Sequence, residues 1–310
     1  MEYITLKNSD LRVSRLCMGG CPMGGYGWGE TNEKDFLYAI DTAIGNGLNY
    51  FDTADTYGLG QSELTLAKGI GSKRKDVVIQ SKFGVRIIDG KTVYDNSPKY
   101  MRDALEKSLK RLNTDYVDIY VIHYRDETPI EEVVNGLKAL QNEGKVRYFG
   151  LSNIQKEKMD ELLPYKNLFV NFQNEYSLAC RKFENDIEFV ANQLNATPLT
   201  WGSLGQGVLT GKYDINTKFD SNDRRSREIY VNFHGEKLRK NLEIVEKLKT
   251  IAQNHDKTVA STAIRFILDN IKDSVVIAGV KNQKQMLSNL EALDWNLTRE
   301  EMQILNEVSL

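Results

Sequence analysis

Short apolar runs alternate with longer amphipathic stretches along the whole chain. Eight runs have the length and the β-branched and aromatic content of strands: RVSRLCMGG (12–20), LNYFDTA (48–54), DVVIQSKFG (76–84), DYVDIYVIH (115–123), VRYFGLSN (146–153), LFVNFQNEY (168–176), TPLTWGS (197–203) and DSVVIAGV (273–280). Several are continuously apolar rather than alternating, the mark of strands buried on both faces of a parallel sheet. Helical patterns fall at 32–47, 97–112, 128–144, 155–164, 182–194, 235–254, 258–270 and 283–291. Some carry end signals. Thr31 and Gly47 bound the first, Ser97 and Pro98 open the second, and Thr128, Pro129 and Gly144 bound the third. Eight strand–helix units predict parallel βαβ units and a (β/α)8 TIM barrel, an α/β fold. A doubly wound open sheet is the competing arrangement. The count of eight, with no break in composition, favours the barrel and one domain over residues 1–310. EYITL and RVSRL, around KNSD, predict an N-terminal β-hairpin that plugs the barrel bottom. The irregular stretch 205–234 predicts a long loop at the C-terminal face, a place where function concentrates.

Composition narrows the partners. The 310 residues carry a formal net charge of −2, with 41% hydrophobic and 27% charged residues. That excludes the basic field of a nucleic-acid binder. There is no apolar run of transmembrane length and no secretory leader pattern at MEYITLKNSD, so neither membrane insertion nor export is expected. The three cysteines, Cys17, Cys21 and Cys180, read as free thiols of a cytoplasmic protein. Cys17 and Cys21 have no second pair at zinc spacing, and no metal is expected.

In a barrel, reactive side chains come from the C-terminal ends of the strands. YFDTADTYG (50–58) ends the second strand in Asp52 and places Tyr57 just beyond; the third ends near Lys82 and the fourth in His123. Singly, each has a structural reading: Asp52 as a helix cap, Lys82 as a solvated lysine, His123 as a satisfied core histidine. Together on three neighbouring strands they have a chemical one. A phenol has an ordinary pKa near 10, too high for efficient proton transfer at neutral pH. A lysine ammonium beside it lowers that value, and an aspartate pairs the ammonium. With His123 at the same oxygen, the set suits proton transfer to a carbonyl oxygen, and a hydride donor is the natural complement. Asp55 reads as a loop residue that faces solvent or caps locally.

FDTADTYG, SKFG, IHYRD, FGLSN, FQNEYSL, WGSLGQGVLTGKY and IAGVKNQKQMLSNL, in this order, resemble the aldo-keto reductases, and in particular the bacterial branch related to potassium-channel beta subunits. The resemblance runs from about residue 3 to residue 308. It implies a catalytic set of Asp52, Tyr57, Lys82 and His123, with Tyr57 as proton donor, and a nicotinamide cofactor extended across the barrel mouth. Ser152, Asn153 and Gln173 match residues that hold the carboxamide, and Trp201 matches the aromatic that stacks on the nicotinamide ring. Leu204, Gln206, Gly207 and Lys212 fall where the family wraps the pyrophosphate, and Gly202 and Ser203 count among the cofactor-binding residues. Gly279, Lys281, Gln285 and Asn289 fall at the adenosine end. A cation at 281, without an acidic residue to hold a bare ribose diol, favours NADPH over NADH.

The sequence also departs from the family. Ser288 stands where many relatives have Glu, Gly202–Ser203 replaces Ser-Pro, Ala278 replaces Pro, and Tyr124–Arg125 replaces Trp-Pro. Tyr26, Trp28, Tyr124 and Arg125 are expected at the substrate, with Arg125 suited to an anionic or polyhydroxy aldehyde. GYGWGE (25–30) and GQGVLTGK (205–212) fit neither glycine-rich phosphate-loop pattern. DRRSR (223–227) reads as a solvated cluster, with a cofactor-phosphate role for Arg224 or Arg225 as the alternative. The expected activity is NADPH-dependent reduction of a small carbonyl compound. A cofactor-binding regulatory or sensory subunit is the competing function.

Overall fold

The computed structural model describes residues 1–25 and 27–310. The chain opens with an antiparallel hairpin, β1 (Tyr3–Thr5) and β2 (Arg12–Ser14). β3 (Leu16–Gly19), β4 (Tyr50–Asp52) and β5 (Val78–Phe83) follow, then a second hairpin, β6 (Val85–Ile88) and β7 (Lys91–Tyr94). β8 (Val117–Ile122), β9 (Val146–Ser152), β10 (Phe169–Glu175), β11 (Thr197–Trp201) and β12 (Val275–Gly279) complete the strands. β3, β4, β5 and β8 through β12 close in sequence order into an eight-stranded parallel barrel. Each apolar run expected as a strand supplies one barrel strand. The run 12–20 is shared, its first part pairing in the hairpin and its second in the barrel.

The helices are α1 (Glu33–Gly45), α2 (Gln61–Ile70), α3 (Pro98–Leu112), α4 (Ile130–Asn142), α5 (Met159–Leu162), α6 (Glu184–Leu194), α7 (Gly235–Asn254), α8 (Val259–Asn270), α9 (Gln283–Leu290) and α10 (Arg299–Ser309). Ser97 caps α3 from its side chain, and Pro98 takes the first helical position. The cap of α1 is Asn32 rather than Thr31. α4 starts one residue later than expected, with Pro129 as its cap. The span 155–164 breaks into 3-10 turns around the short α5, because Pro164 has no N–H to continue a helix. α2, α10 and the β6–β7 hairpin lie beyond the expected elements. α10 is announced by a capping box between Thr298 and Glu301. α2 starts at Gly60, with φ 98° and no side-chain cap, so its entry leaves no such mark.

Apolar side chains form two cores. The larger lies between the sheet and the helices, and the smaller fills the barrel. Cys17, Tyr50, Val78, Ile119, Val121, Leu199 and Val275 belong to the inner one, and Leu6, Leu11 and Val13 of the N-terminal hairpin pack into it. The hairpin is therefore the bottom plug. Its turn is tied on by Lys7 N–H to Thr197 Oγ1 (2.9 Å) and by Asn8 Nδ2 to Asn195 O (2.9 Å).

Above the apolar plug the interior turns polar. Tyr50 Oη donates to Gln80 Oε1 (2.6 Å), which also accepts from Asn171 Nδ2 (3.0 Å). Gly150 faces this layer, and a Cβ there would run into Asn171 Oδ1. No helix among the described residues is long and apolar enough to cross a membrane.

Candidate functional site

β4, β5 and β8 are neighbours in the barrel and present Asp52, Lys82 and His123 at their C-terminal ends. Asp52 and Lys82 are buried. Asp52 Oδ1 accepts from Lys82 Nζ (2.5 Å), Gln80 Nε2 (2.9 Å) and Gln173 Nε2 (3.5 Å). The ammonium has two further neighbours, Thr53 O at 3.0 Å and Tyr57 Oη at 3.2 Å. Its three protons thus have three oxygen partners, which is what a buried ammonium requires.

Tyr57 hangs over this pair from the β4–α2 loop. The loop packs backbone to backbone on the turn Cys21–Gly24: a Cβ on Gly24 would lie 2.6 Å from Gly58 N, so the approach needs glycine there. The His123 ring meets Tyr57 edge-on at 6.0 Å, and its Nδ1 is buried without a partner. Burial, helped by the Lys82 charge, pushes the imidazole well below its usual pKa and keeps it neutral. The expectation that Lys82 lowers the phenol does not hold in the structure. Burial dominates and pushes Tyr57 well up, with Asp52 and Cys21 acting in the same direction, while the ammonium is matched by Asp52.

One cavity of ≈ 840 Å³ opens at this face, and Asp52, Tyr57, Lys82 and His123 line it. Along its walls lie Ser152, Asn153, Gln173 and Trp201, then Gly202, Ser203, Leu204, Gln206, Gly207 and Lys212, then Gly279, Lys281, Gln285 and Asn289. Trp28 and Tyr124 line it too. Asn153, at φ 59°, donates from Nδ2 to His123 O (3.0 Å) and Ser152 Oγ (3.0 Å), which joins the ends of β8 and β9. The Trp201 indole N–H and Asn289 Nδ2 are buried without partners. Gln285 Oε1 accepts from Lys281 N–H (2.9 Å). Tyr124 packs on His123 at 5.1 Å and on Tyr94 at 5.3 Å.

Two further residues were expected at the substrate. Tyr26 lies outside the described residues. Arg125 is a correction: its guanidinium is turned away from the cavity, bonded to Glu161 (3.1 Å), Asn96 Oδ1 (2.9 Å) and Thr128 O (2.8 Å). A cation with that set of acceptors is already satisfied and serves to anchor the loop.

The cluster at 223–227 is also not simply solvated. Arg225 is buried and doubly bonded to Asp223 (2.9 and 2.6 Å), donates to Tyr213 Oη (2.6 Å) and lies 4.3 Å over the Phe219 ring. With Lys212, Lys281 and Lys284 it lines one end of the cavity. Burial and these mutual repulsions push the Lys212 and Lys281 ammonium groups down. Charges held together at such a cost mark a site for an anion. The expectation that no acidic residue stands beside Lys281 is corrected: Asp223 acts on its charge, and this carboxylate is held by Arg225.

The loop after β3 crosses to meet this segment. Gly27 O accepts from Arg224 N–H (3.0 Å), Lys281 Nζ donates to Trp28 O, and Trp28 meets Tyr230 edge-on at 6.1 Å. Gly19, Cys21, Pro22, Tyr230 and Thr258 line the cavity without having been expected there. The one sequence signal for any of them was the end of the first strand run, LCMGG. No group of three or more His, Cys, Asp or Glu among the described residues is placed to hold a metal ion.

A closed parallel barrel whose polar strand ends converge on one mouth cavity is the (β/α)8 architecture, with its site at the C-terminal face. A family model described as the aldo/keto reductase family matches residues 15–310, and the chain belongs to that family of oxidoreductases. It is 31% identical over 312 residues to the aldo-keto reductase YhdN of Bacillus subtilis (strain 168), across 99% of this chain and 93% of that one. It is 28% identical over 327 residues to the NADH-specific methylglyoxal reductase of Escherichia coli (strain K12), across 100% and 98% of the two chains. The structure of a glycerol dehydrogenase from Gluconobacter oxydans superposes with a TM-score of 0.88 at 29% identity, covering 99% of this chain and 94% of that one.

Proposed function

We propose that residues 1–310 work as one domain that reduces an aldehyde or ketone to its alcohol with NADPH, reversibly, with Tyr57 as the proton donor. The observation that carries this reading is the position of Lys82 Nζ, 2.5 Å from Asp52 Oδ1 and 3.2 Å from Tyr57 Oη.

The residues suit the cofactor. Trp201 and Asn289 line the cavity and each keeps a buried N–H group without a partner, and the cations at 212, 225, 281 and 284 suit a pyrophosphate and a 2'-phosphate. Ser152, Asn153 and Gln173 would hold the carboxamide, Trp201 would lie against the nicotinamide, and Gly202, Ser203, Leu204, Gln206, Gly207 and Gly279 would border the phosphates and ribose. NADPH, when bound, supplies a hydride to the carbonyl carbon. Tyr57 gives its proton to the carbonyl oxygen, the phenolate left behind is held by the Lys82 ammonium, and Asp52 keeps that ammonium charged and in place. His123, neutral, directs the oxygen toward Tyr57 by a hydrogen bond. Trp28 and Tyr124 flank the entering substrate.

NADPH absorbance followed with a panel of small aldehydes and ketones tests this. Turnover that disappears in Tyr57→Phe, with cofactor binding intact, is the expected result. Tight NADPH binding without turnover on any carbonyl would leave a regulatory, cofactor-sensing subunit as the better reading.

A further inference from the structure

Asp55, in the same loop as Tyr57, does not face solvent. Its Oδ2 lies 3.0 Å from Tyr100 Oη on α3, and that hydroxyl lies 2.8 Å from Val85 O at the start of β6. A phenol has one proton, and a backbone carbonyl only accepts. Tyr100 cannot donate to both oxygens. With its proton on Val85 O, the second contact is a hydrogen bond only if Asp55 donates it. The other carboxyl oxygen, Oδ1, is buried without a hydrogen-bond partner, a poor place for half of a carboxylate charge.

The charged neighbours do not compensate. On α2, Glu63 repels a second anion. On α3, Arg111 is bonded to Glu63 (2.6 Å). On β6, Arg86 lies over the Tyr100 ring at 4.9 Å and is bonded to Asp95 (2.6 Å). On β8, Tyr120 is a buried phenol held in its neutral form. Burial first, then Glu63, push the Asp55 carboxyl up to about 7, against the opposing pull of Tyr100, Arg111 and the Thr56 amide.

We propose that Asp55 is a positioning residue for Tyr57: held as the neutral acid, it donates to Tyr100 Oη and so pins the Tyr57 loop to α3 and β6. Tyr57 N–H closes a turn on Ala54 O (3.2 Å), so Asp55 lies within the turn that sets the Tyr57 backbone. When Asp55 loses its proton, Tyr100 must turn its own toward the carboxylate, Val85 O loses its partner, and the three-way anchor is cut. This role rests on the reading of Tyr57 as proton donor.

The test compares the wild type with Asp55→Asn, whose amide donates at every pH, and Asp55→Ala, which does not donate. The ring-labelled ¹³Cζ signal of Tyr57 is followed from pH 5 to 9, alongside the activity profile and the melting temperature. Expected in the wild type are a step in the Tyr57 signal near pH 7 and a fall of about tenfold in kcat/KM through the same range. Both steps vanish in Asp55→Asn, which keeps the low-pH activity, while Asp55→Ala is impaired throughout. The folded-state carboxyl binds its proton more tightly than the unfolded one, so wild-type stability falls from about pH 4 to pH 7 relative to Asp55→Asn. A difference in melting temperature that stays flat with pH overturns the neutral-acid assignment. A Tyr57 step that persists in Asp55→Asn, or is absent from the wild type, overturns the positioning role. A chain that reduces no carbonyl refutes the proposed function alone, because the Tyr57 signal and the melting temperatures still judge Asp55.

Discussion

Lys82 Nζ stands 3.2 Å from Tyr57 Oη, yet the phenol is pushed up rather than down. The ammonium is closer to Asp52, at 2.5 Å, and burial, with Asp52 acting in the same direction, outweighs what the ammonium offers the phenol. A protonated Tyr57 is the form a reductase needs before its proton leaves. In the proposed role, the phenolate forms only as a carbonyl oxygen takes that proton.

Tyr57→Phe removes the proton and, with the hydroxyl, one of the three oxygen partners of the Lys82 ammonium. Turnover in carbonyl reduction is expected to fall by about 10²–10⁴-fold, the usual contribution of a placed general acid. NADPH affinity, read from quenching of tryptophan fluorescence, should stay within about threefold of wild type, since the residues proposed to hold the cofactor lie elsewhere along the cavity.

Asp52→Asn leaves the Lys82 ammonium buried without its counter-charge. Breaking a buried pair from one side costs about 3–5 kcal/mol. Urea unfolding should show that loss, and the double variant Asp52→Asn with Lys82→Met should recover a large part of it. Equal losses in the single and double variants would mean that the pair is not coupled in this way.

His123 gives a stability signature. Its imidazole is held well below the usual pKa by burial and by Lys82, while the unfolded chain takes up a proton near pH 6.5. The unfolded state then binds more protons in that window, so this contribution is fully present above about pH 6.5 and declines as pH falls. The urea midpoint of wild type minus that of His123→Phe should therefore shrink between pH 7 and pH 5. In the same window a ¹⁵N spectrum should keep the neutral imidazole pattern.

Lys281→Ala should weaken NADPH binding by about 10–100-fold, the worth of one charge-assisted hydrogen bond of ~1.5–3 kcal/mol, and barely affect NADH. Isothermal titration with each cofactor decides it. Equal losses for both would place Lys281 away from the 2'-phosphate, and the nearby Asp223 would then become the residue to examine for a ribose diol.

Gly150→Ala puts a methyl group into Asn171 Oδ1 and against Val121. Overpacking of this kind costs about 1–3 kcal/mol. The movement of Asn171 should disturb Gln80 and, through it, Asp52, so the loss in the urea midpoint should come with a reduced kcat.

The barrel was legible in the sequence because parallel strands are buried on both faces, so each run stands out from the amphipathic stretches around it, and in several of them polar residues gather toward the C-terminal end. Asp52, Lys82 and His123 could be read for that reason, and Tyr57 for its place in the first polar loop after Asp52. Arg125 and Asp55 were misread because their partners are remote: Glu161 lies 36 residues from Arg125 and Tyr100 lies 45 from Asp55. Exposure cannot be judged from a residue's immediate neighbours when such partners decide it. The same holds for Arg225, which looks solvated in DRRSR until Tyr213, Phe219 and Phe233 enclose it. α2 escaped because it begins on a glycine with no side-chain cap.

The Gly27–Trp28 segment reaches Arg224 and Lys281 by hydrogen bonds and packs on Tyr230 at one side of the cavity. A dinucleotide held beneath this segment, as the proposed function would place it, could not lift straight off. Those contacts would have to part first, and Lys281 would choose between the Trp28 carbonyl and a phosphate. On the proposed reading, cofactor exchange would then be a step with its own clock, separate from the chemistry at Tyr57.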